Sequence, residues 1–346
     1  MLKKFILLLV AAPLILIAYG YNVFHTIYVA PGQWDENIRE IGNVINFKGR
    51  QFFYYSGKIG ANAKGDNQVF CGVAEFKNNK WKKLGKIGNF LCEDPYALVL
   101  DDEIVLLYEE KIDIPDLTTS VAKSTDGISY KPVHLRVLKP TQKGWQNSDT
   151  SSPILLKTEP HKFALIYEAR GEGKTRFNQG SIAVAFSDNP YVEGWIKPTA
   201  PSHEGTYEQT LSRDVWNGYL APDDVIKVND EYIFSFHALS LNKGWSSSLW
   251  KSTDLQNFTS IYSSPLFPQE DTVMIWDKGT CIEFLAEKEG LGVGPIHPAL
   301  FDDKEYNYCS SYAERIGFYT YGLVIDLQKF LIRGQKFVMR KLDSFF

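Results

Sequence analysis

Carboxylates stand at the starts and ends of short apolar runs along this chain. Asp94 opens one such run before Pro95, Asp149 lies just ahead of Ser151-Ser152-Pro153, Glu168 follows Leu165-Ile166-Tyr167, and Asp224 follows Pro222-Asp223. Two carboxyl groups facing each other across a pocket can do acid–base work on an acetal: one donates a proton to the leaving oxygen, and the other activates water or attacks directly. These four are the candidate catalytic residues. Glu93, Glu110, Trp145, Arg170, Asp223, His237 and Asp271 occupy comparable positions and are the candidate substrate-binding residues. Trp145, Trp216 and Trp245 offer faces on which a sugar ring could stack. A mainly acidic pocket ringed by aromatics is the chemistry of carbohydrate recognition. No metal or cofactor is expected: there is no C-x-x-C, no His at zinc spacing from a Cys, and no legible calcium loop.

The elements that must position these residues form a repeat. Five segments share one layout of turn, apolar strand, short polar turn and second apolar or aromatic strand. They begin near residues 41, 94, 152, 223 and 271, about 50 to 70 residues apart. After several of them a third strand runs into a second shared phrase: Ser120 to Asp126, Ser181 to Asp188, and Ser248 to Asp254. Asp126, Asp188 and Asp254 read as turn residues that bond their own backbone. A four-stranded propeller blade has this order and period, whereas a sandwich would not repeat it and no long amphipathic helix supports a parallel α/β fold. The expected fold is therefore all-β, a five-bladed β-propeller of four-stranded antiparallel blades. In such a fold the start of each blade's first strand and the end of its second converge on one axial pocket. The stretch from Glu193 to Val215 reads as a loop over one face. Two strand-like runs in the tail, Ile316 to Ile325 and Lys336 to Lys341, are candidates to complete the last blade.

The run Cys92-Glu93-Asp94-Pro95-Tyr96-Ala97-Leu98-Val99-Leu100 resembles the second blade of the five-bladed glycoside hydrolases of families 43, 32, 68, 117 and 130, and the run from Ser151 through Tyr167 resembles their third. The resemblance covers about residues 35 to 290. It implies a glycosidase acting on an oligosaccharide or polysaccharide, with Asp94 matching the middle carboxylate of the family 43 pattern. The pattern's blade-one Asp is absent from Glu40-Ile41-Gly42-Asn43, with Asp35 and Glu36 only upstream, and Ser151-Ser152 replace its blade-three acid. Two other readings stay open: a non-catalytic glycan-binding propeller, and a glycoside phosphorylase or transferase on the same scaffold. For phosphate, Arg170, Arg176, His203, Arg213 and His237 are the candidate ligands.

Composition agrees with a folded, aromatic-rich chain: of 346 residues, 44% are apolar and 14% aromatic. A net charge of −4 gives no electrostatic reason to bind nucleic acid. Lys3 and Lys4 precede a 14-residue apolar run, Phe5 to Ala18, broken only by Pro13. That order reads as an export signal, cleaved after Gly20 or kept as a membrane tether with the body outside the cytoplasm. The expected organisation is residues 1–20 as signal or anchor, 21–34 as linker and 35–346 as one propeller domain. Cys71, Cys92, Cys281 and Cys309 allow two disulfides in three full pairings.

Overall fold

The computed structural model describes residue 27 and residues 32–58, 68–110, 117–159, 162–171, 180–204, 220–240, 244–262, 272–277, 281–288 and 292–296. The described residues form five antiparallel sheets. Blade one is β1 (Asn37–Phe47), β2 (Arg50–Lys58), β3 (Phe70–Lys77) and β4 (Lys80–Lys86). Blade two is β5 (Glu93–Leu100), β6 (Glu103–Glu110), β7 (Thr118–Ser124) and β8 (Lys131–Leu138). Blade three is β9 (Asp149–Glu159), β10 (Lys162–Arg170), β11 (Ser181–Ser187) and β12 (His203–Glu204). Blade four is β13 (Leu220–Val228), β14 (Glu231–Ser240), β15 (Gly244–Ser252) and β16 (Thr259–Ser260), and blade five shows β17 (Thr272–Asp277), β18 (Cys281–Lys288) and β19 (Gly292–Ile296). Each sheet keeps its strands in chain order, and β1, β5, β9, β13 and β17 touch in sequence, with β17 returning to β1. This is a closed ring of five blades around those inner strands, as the repeat predicts.

The period-2 alternation of a strand explains why the blades stack. In β2, Phe52 and Tyr54 point into the core shared with blade two, while Phe53 and Tyr55 point into the core shared with blade five. In β6, Ile104, Leu106 and Tyr108 face blade one while Val105 and Leu107 face blade three. Middle strands buried on both faces therefore read as unbroken apolar runs. The edge strand β8 instead carries Lys131, Pro132 and Arg136 toward solvent, which blunts it against further pairing.

The turn phrase works as expected in two blades. Asp126 Oδ1 accepts from the N–H groups of Ile128 and Ser129, and Asp254 Oδ1 from those of Gln256 and Asn257. Blade three corrects the expectation by one residue. There Asn189, not Asp188, accepts from the Tyr191 N–H, because the turn is counted from Ser187 as it is from Ser124 and Ser252.

Cys71 at the start of β3 and Cys92 just before β5 form a disulfide that ties blade one to blade two. Ile27, in the stretch read as a linker, pairs antiparallel with Val293 through two backbone hydrogen bonds of 2.8 and 3.0 Å. Its side chain is buried among Ile38, Phe53, Val273 and Leu285. A residue from before blade one thus lies on the outer edge of blade five and joins the two ends of the ring. The apolar N-terminal run, Arg176, Arg213, Trp216, Asp271, Cys309 and the two tail runs lie outside the described residues.

Candidate active site

The inner strands carry a recurring irregularity at one end. In β1, Gly42 and Asn43 stand opposite the single residue Tyr54; in β5, Asp94 and Pro95 stand opposite Tyr108; in β9, Ser152 and Pro153 stand opposite Tyr167. In β13 the extra residue is Asp223, between Pro222 and Asp224. These are β-bulges, which re-aim side chains at the rim of a sheet. Asp94 and Ser152 adopt left-handed backbone angles, with φ of 47° and 48°. Asp does so more readily than most residues because its short side chain can bond locally. Gly42 is required for a different reason: a Cβ there would stand 1.9 Å from the Pro95 carbonyl oxygen of the neighbouring blade.

Next to the bulges, one row of cross-strand pairs points to the axis: Glu40 with Ser56, Glu93 with Glu109, Ser151 with Glu168, and Ala221 with His237. Two adjoining clefts open here. One is lined by Glu40, Asp94, Tyr96, Ser152, Asp223 and His237 among others, and the second by Arg39, Glu40, Glu93, Asp94, Glu109, Ser152, Glu168, Arg170, His237 and Trp245. Glu40, Asp94, Ser152 and His237 face both, so they mark the centre of the pocket.

Asp94 is the chemically distinctive group. Its Oδ2 accepts a 2.9 Å hydrogen bond from Ser152 Oγ, while Oδ1 is buried with no hydrogen-bond partner among the described residues. Burial, then the negative charges of Glu40 and Glu93, push its carboxyl well above the usual carboxylate range, against the opposing pull of Arg39. Arg39 itself is ion-paired with Glu40 and places Nε 2.7 Å from Glu93 Oε1. A second cluster mirrors it: Arg170 Nε lies 2.7 Å from Asp149 Oδ2 and 3.1 Å from Glu168 Oε1. Ser151 Oγ also donates to Glu168 Oε2. On the other side His237 Nδ1 contacts Asp223 Oδ1, and Asp223 Oδ2 accepts from Ser235 Oγ and from the Thr272 N–H. Burial raises the Asp223 carboxyl, with the His237 contact opposing it.

The structure brings Asp94, Glu93, Glu168, Arg170, Asp223 and His237 to this pocket, as their strand positions predict. Asp149 lies behind it, buried, accepting from the Leu117 N–H at 3.1 Å and holding Arg170. Asp224 points the other way. It accepts from Tyr96 OH of blade two, from the Met274 N–H of blade five and from the Val225 N–H, a strut joining three blades beneath the pocket. Burial pushes its carboxyl up to about 7, against those backbone donors. Glu110 accepts from Ser120 Oγ. Trp145 donates its indole N–H to the Thr199 carbonyl and packs on the large core, whereas Trp245 lines the pocket with its ring edge-on to His237 at 5.4 Å. Asp35 is held by Lys83 and Tyr55, and Glu36 accepts from the Gly32 N–H. Sequence reasoning passed over Arg39 and Glu40. The signal was available: counted back from their hairpin turns, Glu40 and Glu93 fall at the same place in β1 and β5.

The sequence matches no family profile and no curated protein. Its fold, however, is found among solved glycoside hydrolases. A mutant of the Bombyx mori family 32 β-fructofuranosidase, solved with sucrose, superposes with a TM-score of 0.59 at 15% identity, over 83% of this chain and 66% of that one, just under two thirds of its length. A family 117 glycoside hydrolase of the marine bacterium Zobellia galactanivorans gives 0.58 at 14% identity, over 85% of this chain and 96% of that one. An α-L-arabinofuranosidase of Clostridium thermocellum gives 0.52 at 12%, over 81% and 95%. At such identities the likeness establishes the propeller scaffold and nothing finer.

Proposed function

We propose that this protein is an exported glycoside hydrolase whose axial pocket takes a sugar unit of an oligosaccharide or polysaccharide. The observation that carries the reading is Asp94: a carboxyl favoured in its protonated form, held on a bulge at the meeting point of both clefts, whose Oδ2 accepts from Ser152 and leaves Oδ1 to carry the proton. Asp94 gives its proton to the glycosidic oxygen as the bond to the anomeric carbon breaks. Glu40, paired with Arg39, is the second carboxylate, and the anomer first formed, read by NMR, tells whether it activates water or attacks the sugar. The second reading, a glycan-binding propeller without turnover, draws on Ser152, which stands at the blade-three position corresponding to Asp94 in blade two.

Product release from a panel of polysaccharides and aryl glycosides, with and without phosphate and with Asp94→Asn alongside, separates these readings. Turnover that needs no phosphate and is lost in the variant supports the hydrolase; binding without turnover supports the alternative. Export through the N-terminal segment is tested by cell fractionation and by the mass of the mature N-terminus. A protein found only in the cytoplasm with Met1 intact overturns that part.

A further inference from the structure

We infer that the axial pocket selects a neutral or amino sugar and excludes uronic, sulfated and phosphorylated ones, because both arginines among its described lining residues are already committed to carboxylates. This rests on the glycan-binding reading above. Guanidinium is the usual receptor for an anionic group on a ligand, since its planar fork matches a carboxylate, sulfate or phosphate. Here Arg39 is shared between Glu40 and Glu93, and Arg170 between Asp149 and Glu168. Both acids of each set belong to the protein, so an incoming anion would have to displace a buried carboxylate to reach either arginine. That exchange leaves the displaced carboxylate without its partner in a poorly solvated place.

The rest of the lining points the same way. Glu109 joins the second cleft, and His237 is held against Asp223. Among the described lining residues Glu40, Glu93, Glu109 and Glu168 outnumber Arg39 and Arg170, and the walls exclude much of the solvent that would screen them. A ligand carboxylate or sulfate therefore meets charges of its own sign, whereas hydroxyls find many acceptors and an ammonium finds partners. The same field opposes inorganic phosphate as the attacking group, so water is the acceptor the pocket favours.

The test uses the full chain bearing Asp94→Asn, so that binding is read without turnover, on an array of neutral, amino and acidic oligosaccharides. Retention of neutral or amino glycans, at least tenfold tighter than galacturonate oligomers of the same length, supports the inference. That preference should narrow as salt is raised, because the discrimination is electrostatic. Glu93→Gln and Glu168→Gln, each in the same background and each checked for folding by thermal unfolding, take one of its two carboxylates from Arg39 or Arg170 and remove one negative charge from the pocket. Either should raise galacturonate binding about tenfold relative to the neutral oligomer, a change of about 1.4 kcal/mol. Preferential retention of acidic glycans by the parent overturns the charge selection and leaves the glycan reading standing. Retention of none of the three classes overturns both.

Discussion

Replacing Asp94 with Asn separates chemistry from folding. The carboxyl favours its neutral form, so Asn is a neutral-for-neutral exchange of nearly the same shape. Asn also tolerates the left-handed φ of 47° at this position, and its carbonyl oxygen can take over the 2.9 Å bond from Ser152 Oγ. At most one hydrogen bond changes, so the unfolding free energy should move by no more than about 1 kcal/mol. The amide cannot deliver a proton, and loss of general acid catalysis costs roughly 10²- to 10⁴-fold in kcat/KM. That loss should be large for substrates whose leaving group is a sugar and small for aryl glycosides whose leaving group departs as a stable anion. If Asp94 is the acid, kcat/KM of the parent protein falls on an alkaline limb lying above the ordinary carboxylate range, because the proton to be donated is lost there. Denaturant unfolding, a leaving-group series and pH–rate profiles measure the three quantities. A variant within tenfold of the parent on sugar leaving groups, or equally slow on every leaving group, would refute Asp94 as the acid.

Buried Asp223 and Asp224 hold protons in the folded state that the unfolded chain releases near pH 3.8, with Asp224 retaining its own to about 7. The unfolded state therefore binds fewer protons across that window, and stability should decline as pH rises from 4 to 7, by about 1.4 kcal/mol per unit for each group still protonated; urea unfolding at several pH values reads the slope, and a rise would contradict it. The Cys71–Cys92 bridge spans 21 residues and fastens the segment leading into Glu93 and Asp94, so a double Cys→Ser variant should lose about 3 kcal/mol in denaturant unfolding. A chain starting at residue 30 lacks Ile27 and its two backbone bonds to Val293, and should melt below a chain starting at residue 21. Equal melting temperatures would show that Ile27 does not hold the ring closed.

The blade architecture was legible in the sequence because each blade is a local object. A hairpin such as Asp94 to Tyr108 encodes its own turn, its own alternation and its own length, so five copies announce themselves without any long-range information. The approach of strand starts and second-strand ends to one axis followed from that symmetry, which is why Asp94, Glu168, Arg170 and His237 could be placed on the pocket from their numbers alone. What could not be read was the direction in which neighbouring acids turn. Asp223 and Asp224 are adjacent in the chain, yet the bulge between Pro222 and Asp224 sends one to the pocket beside His237 and the other to Tyr96 and Met274 of two other blades. Glu40 shares its cleft with Gly42, where the Pro95 carbonyl of the next blade comes too close for any Cβ, an approach between blades that the hairpin pattern does not encode. Ile27 looked like linker because a single pairing with Val293, 266 positions away, leaves no periodic trace. Local sequence specifies the hairpins, their number and the kind of residue at each rim. Tertiary structure alone decided which carboxylates share a site, which are struts, and how burial and neighbouring charge favour the proton on Asp94, since those outcomes depend on contacts between blades that no local pattern records.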